Sequence, residues 1–270
     1  FLHPLDAPCW LHRGHAVELH CQPDDSFETK NLQHNNDFQT LRRRAANKQL
    51  DVNIIPADRR RKQILIADMD STIITSESLD DLAALAGLAD AVTAITKRAM
   101  AGEIDFEGAL FERVRMLAGK SSRLFDQLIA TATPTSGAIE LVYTMRANGA
   151  KCYLVSGGFD VITGPVAALC GFHDHRANHM HVRDSKILGT VQTPVLDRNA
   201  KATYLEHYCK QNGIDPIDAA TIGDGANDLA MLQAAGMGVA FEGKPLLLAK
   251  VAIQLSHTDL RGLLYLQGYK

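Results

Sequence analysis

From Gln63 onward, short apolar runs alternate with stretches of helical spacing, and that alternation leaves few folds open. Strand-like runs fall at 64–68, 151–155, 219–222, 237–241 and 252–255. Helical spacing fills 137–148, 159–170, 198–212, 227–235 and 258–267. Short runs with no polar alternation suit strands buried on both faces. Strand followed by helix, repeated, predicts an α/β fold: a Rossmann-like, mainly parallel sheet with helices on both faces. Gly171, Gly213 and Gly236 stand where helix C-caps belong. Residues 182–187 depart from the rhythm and read as a hairpin.

Two segments lie outside the alternation. In 78–135, Leu79, Leu82, Leu85 and Ala86 have helical spacing, as do Phe106, Leu110, Val114 and Leu117, and again Leu124, Leu128 and Ile129. Three or four helices inserted just after a strand end predict a helical cap over the sheet edge. Residues 1–62 are polar and His-rich and hold the only tryptophan, Trp10. There, 15–21 alternates like a strand, 37–50 reads as a basic helix, 51–56 as another strand, and 58–62 as a solvated linker. The expected organisation is an N-terminal α+β module with linker over 1–62, a core over 63–77 and 136–270, and a cap over 78–135.

Two strand runs end in carboxylates. Ile64-Leu65-Ile66-Ala67 leads into Asp68-Met69-Asp70-Ser71-Thr72, and Ala219-Ala220-Thr221-Ile222 into Gly223-Asp224-Gly225-Ala226-Asn227-Asp228. Ligands bind at the carboxyl ends of strands in open α/β sheets. Carboxylates gathered there repel unless a cation sits among them, and an all-oxygen donor set favours Mg²⁺. Asp68, at a strand end, is placed to attack phosphorus. Asp70 is placed to protonate a leaving oxygen and later to deprotonate water. A lone Asp-x-Asp would more often cap a turn; the second cluster changes that balance.

Ser156-Gly157-Gly158-Phe159 offers a hydroxyl and unhindered N–H groups for an anion. Alone it is a common turn. Lys201, at the start of a predicted helix, gains weight from lying between that turn and the second aspartate cluster. His173, His175, His179 and His181 have no acidic or cysteine partner of matching period and read as surface or hairpin residues.

Composition narrows the class. The 270 residues are 46% hydrophobic, enough for a real core, and the net charge of −3 excludes compositional support for nucleic-acid binding. Five scattered cysteines without a C-x-x-C pair argue against zinc or a disulfide framework and fit a reducing, cytoplasmic setting. No run approaches the ~20 apolar residues that span a bilayer, so no membrane role is expected. Phe-Leu-His-Pro has neither the basic nor the apolar region of a secretory signal, and without a Met it leads to the expectation of residues upstream.

In order and spacing, the two aspartate clusters, Ser156-Gly157-Gly158-Phe159 and Lys201 resemble the four motifs of the haloacid dehalogenase superfamily. Arg98-Ala99-Met100 and Gly102-Glu103-Ile104-Asp105-Phe106 narrow the resemblance to its phosphoserine phosphatase branch. It covers about 62–270. It implies Mg²⁺-dependent hydrolysis of O-phospho-L-serine to serine and phosphate, the last step of serine biosynthesis, through an aspartyl phosphate on Asp68. It implies Asp70 as acid/base, and Mg²⁺ held by Asp68, the Asp70 carbonyl and Asp224 with Asp228 in support. Ser156, Gly157 and Lys201 would hold the phosphoryl group, with Asn227 nearby. Glu77 would bind the amine, Arg113 the carboxylate, and Phe106 would pack over the substrate. Without the family, Glu77 and Arg113 read as solvated helix residues. Some members carry Arg at the position of Phe111; this chain does not. Residues 1–62 are compatible with an incomplete ACT-like module, and a homodimer is the only macromolecular partner considered. Two other functions stay open: a phosphatase or phosphotransferase for another small phosphorylated alcohol, and a catalytically silent phospho-metabolite sensor.

Overall fold

In the N-terminal residues, β1 (Leu2–Pro4), β2 (Cys9–His12), β3 (Ala16–Glu18) and β4 (Cys21–Pro23) fold as one kinked hairpin, β1 against β4 and β2 against β3. The Leu5 N–H to His20 O bond, 2.8 Å, carries the pairing across the kink. The strand expected over 15–21 is therefore two short ones. Of the ACT-like expectation, the described residues carry this hairpin followed by one helix, α1 (Asn36–Ala46). Asn35 caps α1 by accepting the Phe38 N–H, and Arg42 reaches from it to Ala252 O at 2.6 Å. The computed structural model describes residues 2–24, 29–100, 103–197 and 199–270. Of the sequence features above, Phe1, Gly102 and Arg198 lie outside them.

Residues 51–56 form no strand. Side chains supply the docking that a ladder would have supplied. Asp51 accepts the N–H groups of Ser256, His257 and Thr258 at 3.0, 2.9 and 3.1 Å. Asn53 exchanges two hydrogen bonds with the Gln254 backbone, at 2.8 and 2.9 Å. The basic run keeps Asp58, Arg59 and Arg61 exposed, yet its cations are paired. Arg59 pairs with Asp218, Arg60 with Glu18, and Arg61 lies over the Tyr269 ring. The buried Lys62 donates to Arg59 O and Ile217 O, both at 2.8 Å.

β5 (Ile64–Ala67) is followed by four helices in succession: α2 (Ser78–Leu85), α3 (Ala89–Met100), α4 (Phe106–Met116) and α5 (Arg123–Thr131). The alternation then resumes with α6 (Ala138–Ala147), β6 (Lys151–Phe159), α7 (Asp160–Cys170) and β7 (Asp174–Asn178). The hairpin β8 (Met180–Arg183) and β9 (Lys186–Val191) follows. The chain continues through α8 (Ala200–Asn212), β10 (Ala219–Gly223), α9 (Leu229–Ala234), β11 (Met237–Phe241), α10 (Pro245–Leu248), β12 (Ile253–Leu255) and α11 (Gly262–Leu266).

Six strands form one sheet in the order β12-β11-β10-β5-β6-β7, every pair parallel. All four residues of β5 are buried, as expected for a central strand covered on both faces. Leu65 and Ala67 pack with Leu141, Val142 and Ile162 of α6 and α7; Ile64 and Ile66 pack with Leu205, Tyr208 and Met231 of α8 and α9. The strand β7 escaped the sequence reading because Asp-His-Arg-Ala-Asn is polar, which an edge strand tolerates. Gly171 and Gly213 are left-handed C-caps as expected. Gly236 is not: a Cβ there would stand 1.9 Å from Ile217 O, so close packing of backbone requires the glycine. No helix among the described residues is long and apolar enough to cross a membrane.

Candidate active site

Strand order reverses between β5 and β10: the chain leaves β5 for β6 on one side and β10 for β11 on the other. The crevice at their carboxyl ends is the ligand-binding edge of such a sheet. Asp68 and Asp224 each stand one residue past a strand end. The Asp68 N–H still bonds Ile222 O at 3.0 Å, which ties the first turn to the second strand. Asp228 folds back beneath its own turn, accepting the Gly225 N–H at 3.0 Å. That fold needs Gly223, where a Cβ would lie 2.4 Å from Asp228 Cγ.

The result is three buried carboxylates, Asp68, Asp224 and Asp228, each offering an oxygen within 4.8 Å of the others. Lys201, near the start of α8, is only 2% exposed. Its Nζ lies 2.6 Å from Asp68 Oδ1 and 2.6 Å from Asp228 Oδ1. Burial opposes the ammonium, but the two carboxylates outweigh it and hold Lys201 above its ordinary value. Two carboxylates share this one ammonium. Burial first, and then Asp228, push the Asp68 carboxyl well up. Ionised together, the three carboxylates would carry more negative charge than Lys201 offsets, and it is that cost which a divalent cation would relieve. Among the described residues it is the one cluster of three or more metal-competent groups, and it contains no histidine. The four histidines of 173–181 do not converge: His173 accepts the Cys152 N–H, His179 pairs with Asp160, and His181 bonds Thr190.

Asp70 points elsewhere. Its Oδ1 accepts the Ser78 N–H at 2.8 Å and its Oδ2 accepts the Ser156 hydroxyl at 3.3 Å. Burial, against the Ser78 hydrogen bonds, pushes its carboxyl up to about 6. Ser71, in the left-handed region at φ 53°, turns the chain after it. Ser156 and Gly157 lie not in a turn but in a bulge of β6. Val155 pairs with Arg176 and Phe159 with Asn178, so four steps on β6 match two on β7.

Of the residues assigned by resemblance to the substrate head group, Glu77 precedes α2, and Phe106 and Arg113 lie on α4. Phe106 opens α4, and its Cζ would lie 3.6 Å from a Cβ on Gly157. Glu77 accepts the Ser71 hydroxyl at 2.8 Å. Arg113 lies in the field of Asp80 and Glu77, and burial lowers its ordinary value. Among the described residues no carboxylate ion-pairs with it; its Nε donates to Ala109 O within α4. Asn227 is half-buried in the turn Ala226–Asp228. Phe111 packs against the apolar core.

Two residues that contact the acidic side chains of the site escaped the sequence reading. Ser78 holds Asp70, and Lys244 Nζ lies 2.9 Å from Asp224 Oδ2 and 3.9 Å from Glu77 Oε1. The available signal for Lys244 was topological: Gly243-Lys244-Pro245 follows another parallel strand at the same edge.

A family model described as haloacid dehalogenase-like hydrolase matches residues 65–233. The phosphoserine phosphatase of Methanocaldococcus jannaschii is 37% identical over 205 residues, 76% of this chain and 97% of that protein. The phosphoserine phosphatase of Archaeoglobus fulgidus is 36% identical over 225 residues, 83% of this chain; the chain spans 65% of that relative's length. The crystal structure of a haloacid dehalogenase family hydrolase from Salmonella enterica subsp. enterica serovar Typhi superposes with a TM-score of 0.82 at 30% identity, over 86% of this chain and 80% of that one. With the family model spanning both aspartate clusters, the bulged anion loop and Lys201, the chain belongs to the haloacid dehalogenase-like hydrolases.

Proposed function

We propose that this chain is a phosphoserine phosphatase, hydrolysing O-phospho-L-serine to L-serine and phosphate through an aspartyl phosphate on Asp68. The observation that carries the reading is the buried Asp68–Asp224–Asp228 cluster with Lys201 locked between two of its members. Likeness to two phosphoserine phosphatases supports the choice of substrate. Residues 78–135 serve as the cap, 63–77 and 136–270 as the core, and 1–62 as the N-terminal module.

Asp68 Oδ1 is occupied by Lys201 and by the Met69 N–H at 2.8 Å. The other oxygen, Oδ2, accepts no hydrogen bond among the described residues and is the nucleophile. As it bonds to phosphorus, the ester P–O bond breaks and the Asp70 carboxyl gives its proton to the serine oxygen. A carboxyl raised to about 6 can hold that proton near neutrality and then act as base. In the second step Asp70 takes a proton from water, the water oxygen bonds to phosphorus, and the bond to Asp68 breaks. Ser156, the Gly157 N–H and Lys201 hold the phosphoryl oxygens, with Asn227 beside them. Asp68, the Asp70 carbonyl and Asp224, with Asp228 in support, would hold Mg²⁺, which would supply neutralisation of the phosphoryl charge. Glu77 reads the substrate ammonium, Arg113 its carboxylate, and Phe106 excludes water above it.

A phosphate-release screen over phosphorylated amino acids and sugars, with and without EDTA, tests the reading. Phosphoserine should lead the panel and EDTA should abolish release. A sugar phosphate in first place, or transfer to added homoserine, would give the function to another small alcohol. Binding without turnover would give it to a sensor. The same reading places the chain in the cytoplasm, supported by five unpaired cysteines. It includes a homodimer, which light scattering tests.

A further inference from the structure

We propose that Asn178 is a positioning residue that locks the Gly157–Gly158 peptide of the anion loop, so that its N–H stays on the Ser156 hydroxyl oxygen and leaves that hydroxyl to serve the substrate phosphoryl group. The inference deepens the proposed phosphatase reading and rests on it.

The bulge between Val155 and Phe159 releases Ser156, Gly157 and Gly158 from the β6–β7 ladder. Their peptide groups lose the partners that fix a strand's planes. The peptide joining Gly157 to Gly158 has no Cβ on either side, so little steric resistance opposes its rotation. Its two ends face different partners. The Gly158 N–H donates to Ser156 Oγ at 2.8 Å, on the side where Ser156 meets Asp70. The Gly157 C=O accepts from Asn178 Nδ2, also at 2.8 Å. Turned over, the same peptide would set its carbonyl against Ser156 Oγ, and the hydroxyl would donate to that oxygen instead of to the phosphoryl group.

Asn178 is suited to prevent that. It ends β7, is 3% exposed, and uses both ends of its carboxamide. Its Oδ1 accepts the Leu196 N–H at 2.7 Å. One residue further, Asp197 caps the start of α8 by accepting the Asn199 and Ala200 N–H groups at 2.8 and 2.9 Å. Lys201 follows directly. Asn178 thus ties the anion loop to the segment that carries the phosphoryl-binding lysine. A donor must face Gly157 and an acceptor must face Leu196, so neither an apolar isostere nor a carboxylate can replace the amide.

Asn178→Leu and Asn178→Asp test this with p-nitrophenyl phosphate as substrate and inorganic phosphate as inhibitor. In Asn178→Leu, kcat/KM should fall and the phosphate inhibition constant should rise, each by about tenfold or more. In Asn178→Asp the ionised side chain repels Gly157 O, while the protonated acid restores both hydrogen bonds. Burial against a carbonyl raises that acid above its ordinary value, so its kcat/KM relative to wild type should recover as pH falls from about 8 to about 5.5. The His179–Asp160 pair, next along the chain, is common to both proteins and cancels in that ratio. If Asn178→Leu fails to fold, the pH profile of Asn178→Asp decides alone. A flat ratio, or unchanged phosphate inhibition in a folded variant, would overturn the assignment. A wild type that hydrolyses no phosphate ester would instead overturn the proposed function.

Discussion

Replacing Lys201 with Met keeps the unbranched stem and removes the terminal ammonium, so most of the cost is that of the charge. That ammonium contacts Asp68 and Asp228 at 2.6 Å each, with all three groups buried. Removing one partner of a buried ion pair costs about 3–5 kcal/mol. Protonation sets a second estimate. A stranded carboxyl with an ordinary value of 3.8 must take up a proton about 3 pH units above that value at pH 7, which costs about 4 kcal/mol. The two figures agree. The sign with pH follows. In the wild type Lys201 is raised above its unfolded value, so its contribution is present throughout the range below about 10 and fades only as pH rises further. In Lys201→Met the protonation cost shrinks by about 1.4 kcal/mol for each unit of acidification, so the deficit near pH 5 should be about 1–2 kcal/mol. Urea unfolding in EDTA, followed by circular dichroism, reads both values; with a slope of about 3 kcal/mol/M the midpoint should drop by about 1.3 M at pH 7. A deficit under about 1 kcal/mol at pH 7, or one that does not shrink at pH 5, would refute the argument that Lys201 neutralises this cluster.

Arg113→Ala should cut phosphoserine turnover about 10- to 100-fold through a lost charge-assisted contact worth about 1.5–3 kcal/mol, and should spare p-nitrophenyl phosphate, which has no carboxylate. Equal losses on the two substrates would make Arg113 structural. Asp70→Asn should release a burst of about one nitrophenol per site, because that leaving group needs no proton while the second step still needs a base; with phosphoserine it should show none. Rapid quench reads both, and a nitrophenyl trace without a burst would count against Asp70. Asp51→Ala strands the three N–H groups after β12 that Asp51 now accepts. A loss of about 2 kcal/mol should lower the melting temperature by about 4–8 °C; an unchanged melt would show that residues 51–56 are not docked through that carboxylate.

The central sheet was legible because its strands carry their burial in their own residues. Ile64 to Ala67 is apolar at every position, and the structure buries every position. β7 was not legible, since an edge strand has one unpaired side and Asp174 and Arg176 can be solvated there. The same limit applies to 58–62, where Lys62 reads as solvated until Ile217 O arrives from a distant part of the chain to bury it, and Arg59 stays exposed while pairing with Asp218. In the site, Asp68, Asp70, Asp224 and Asp228 announced themselves because two carboxylate clusters at strand ends are costly without a purpose. Lys244, Ser78 and Asn178 did not: each is a single polar residue, and what matters about each is the partner the fold supplies.

The most direct measurement is acid quench of the wild type during turnover of phosphoserine labelled in its phosphate, followed by mapping of the labelled peptide. Aspartyl phosphate survives acid long enough to map. The label should sit on Asp68, require Mg²⁺, and disappear in Asp68→Asn, whose phosphoserine turnover should fall at least ~10³-fold, about 4 kcal/mol of barrier. Label on another residue, or near-normal turnover by folded Asp68→Asn, would contradict the account.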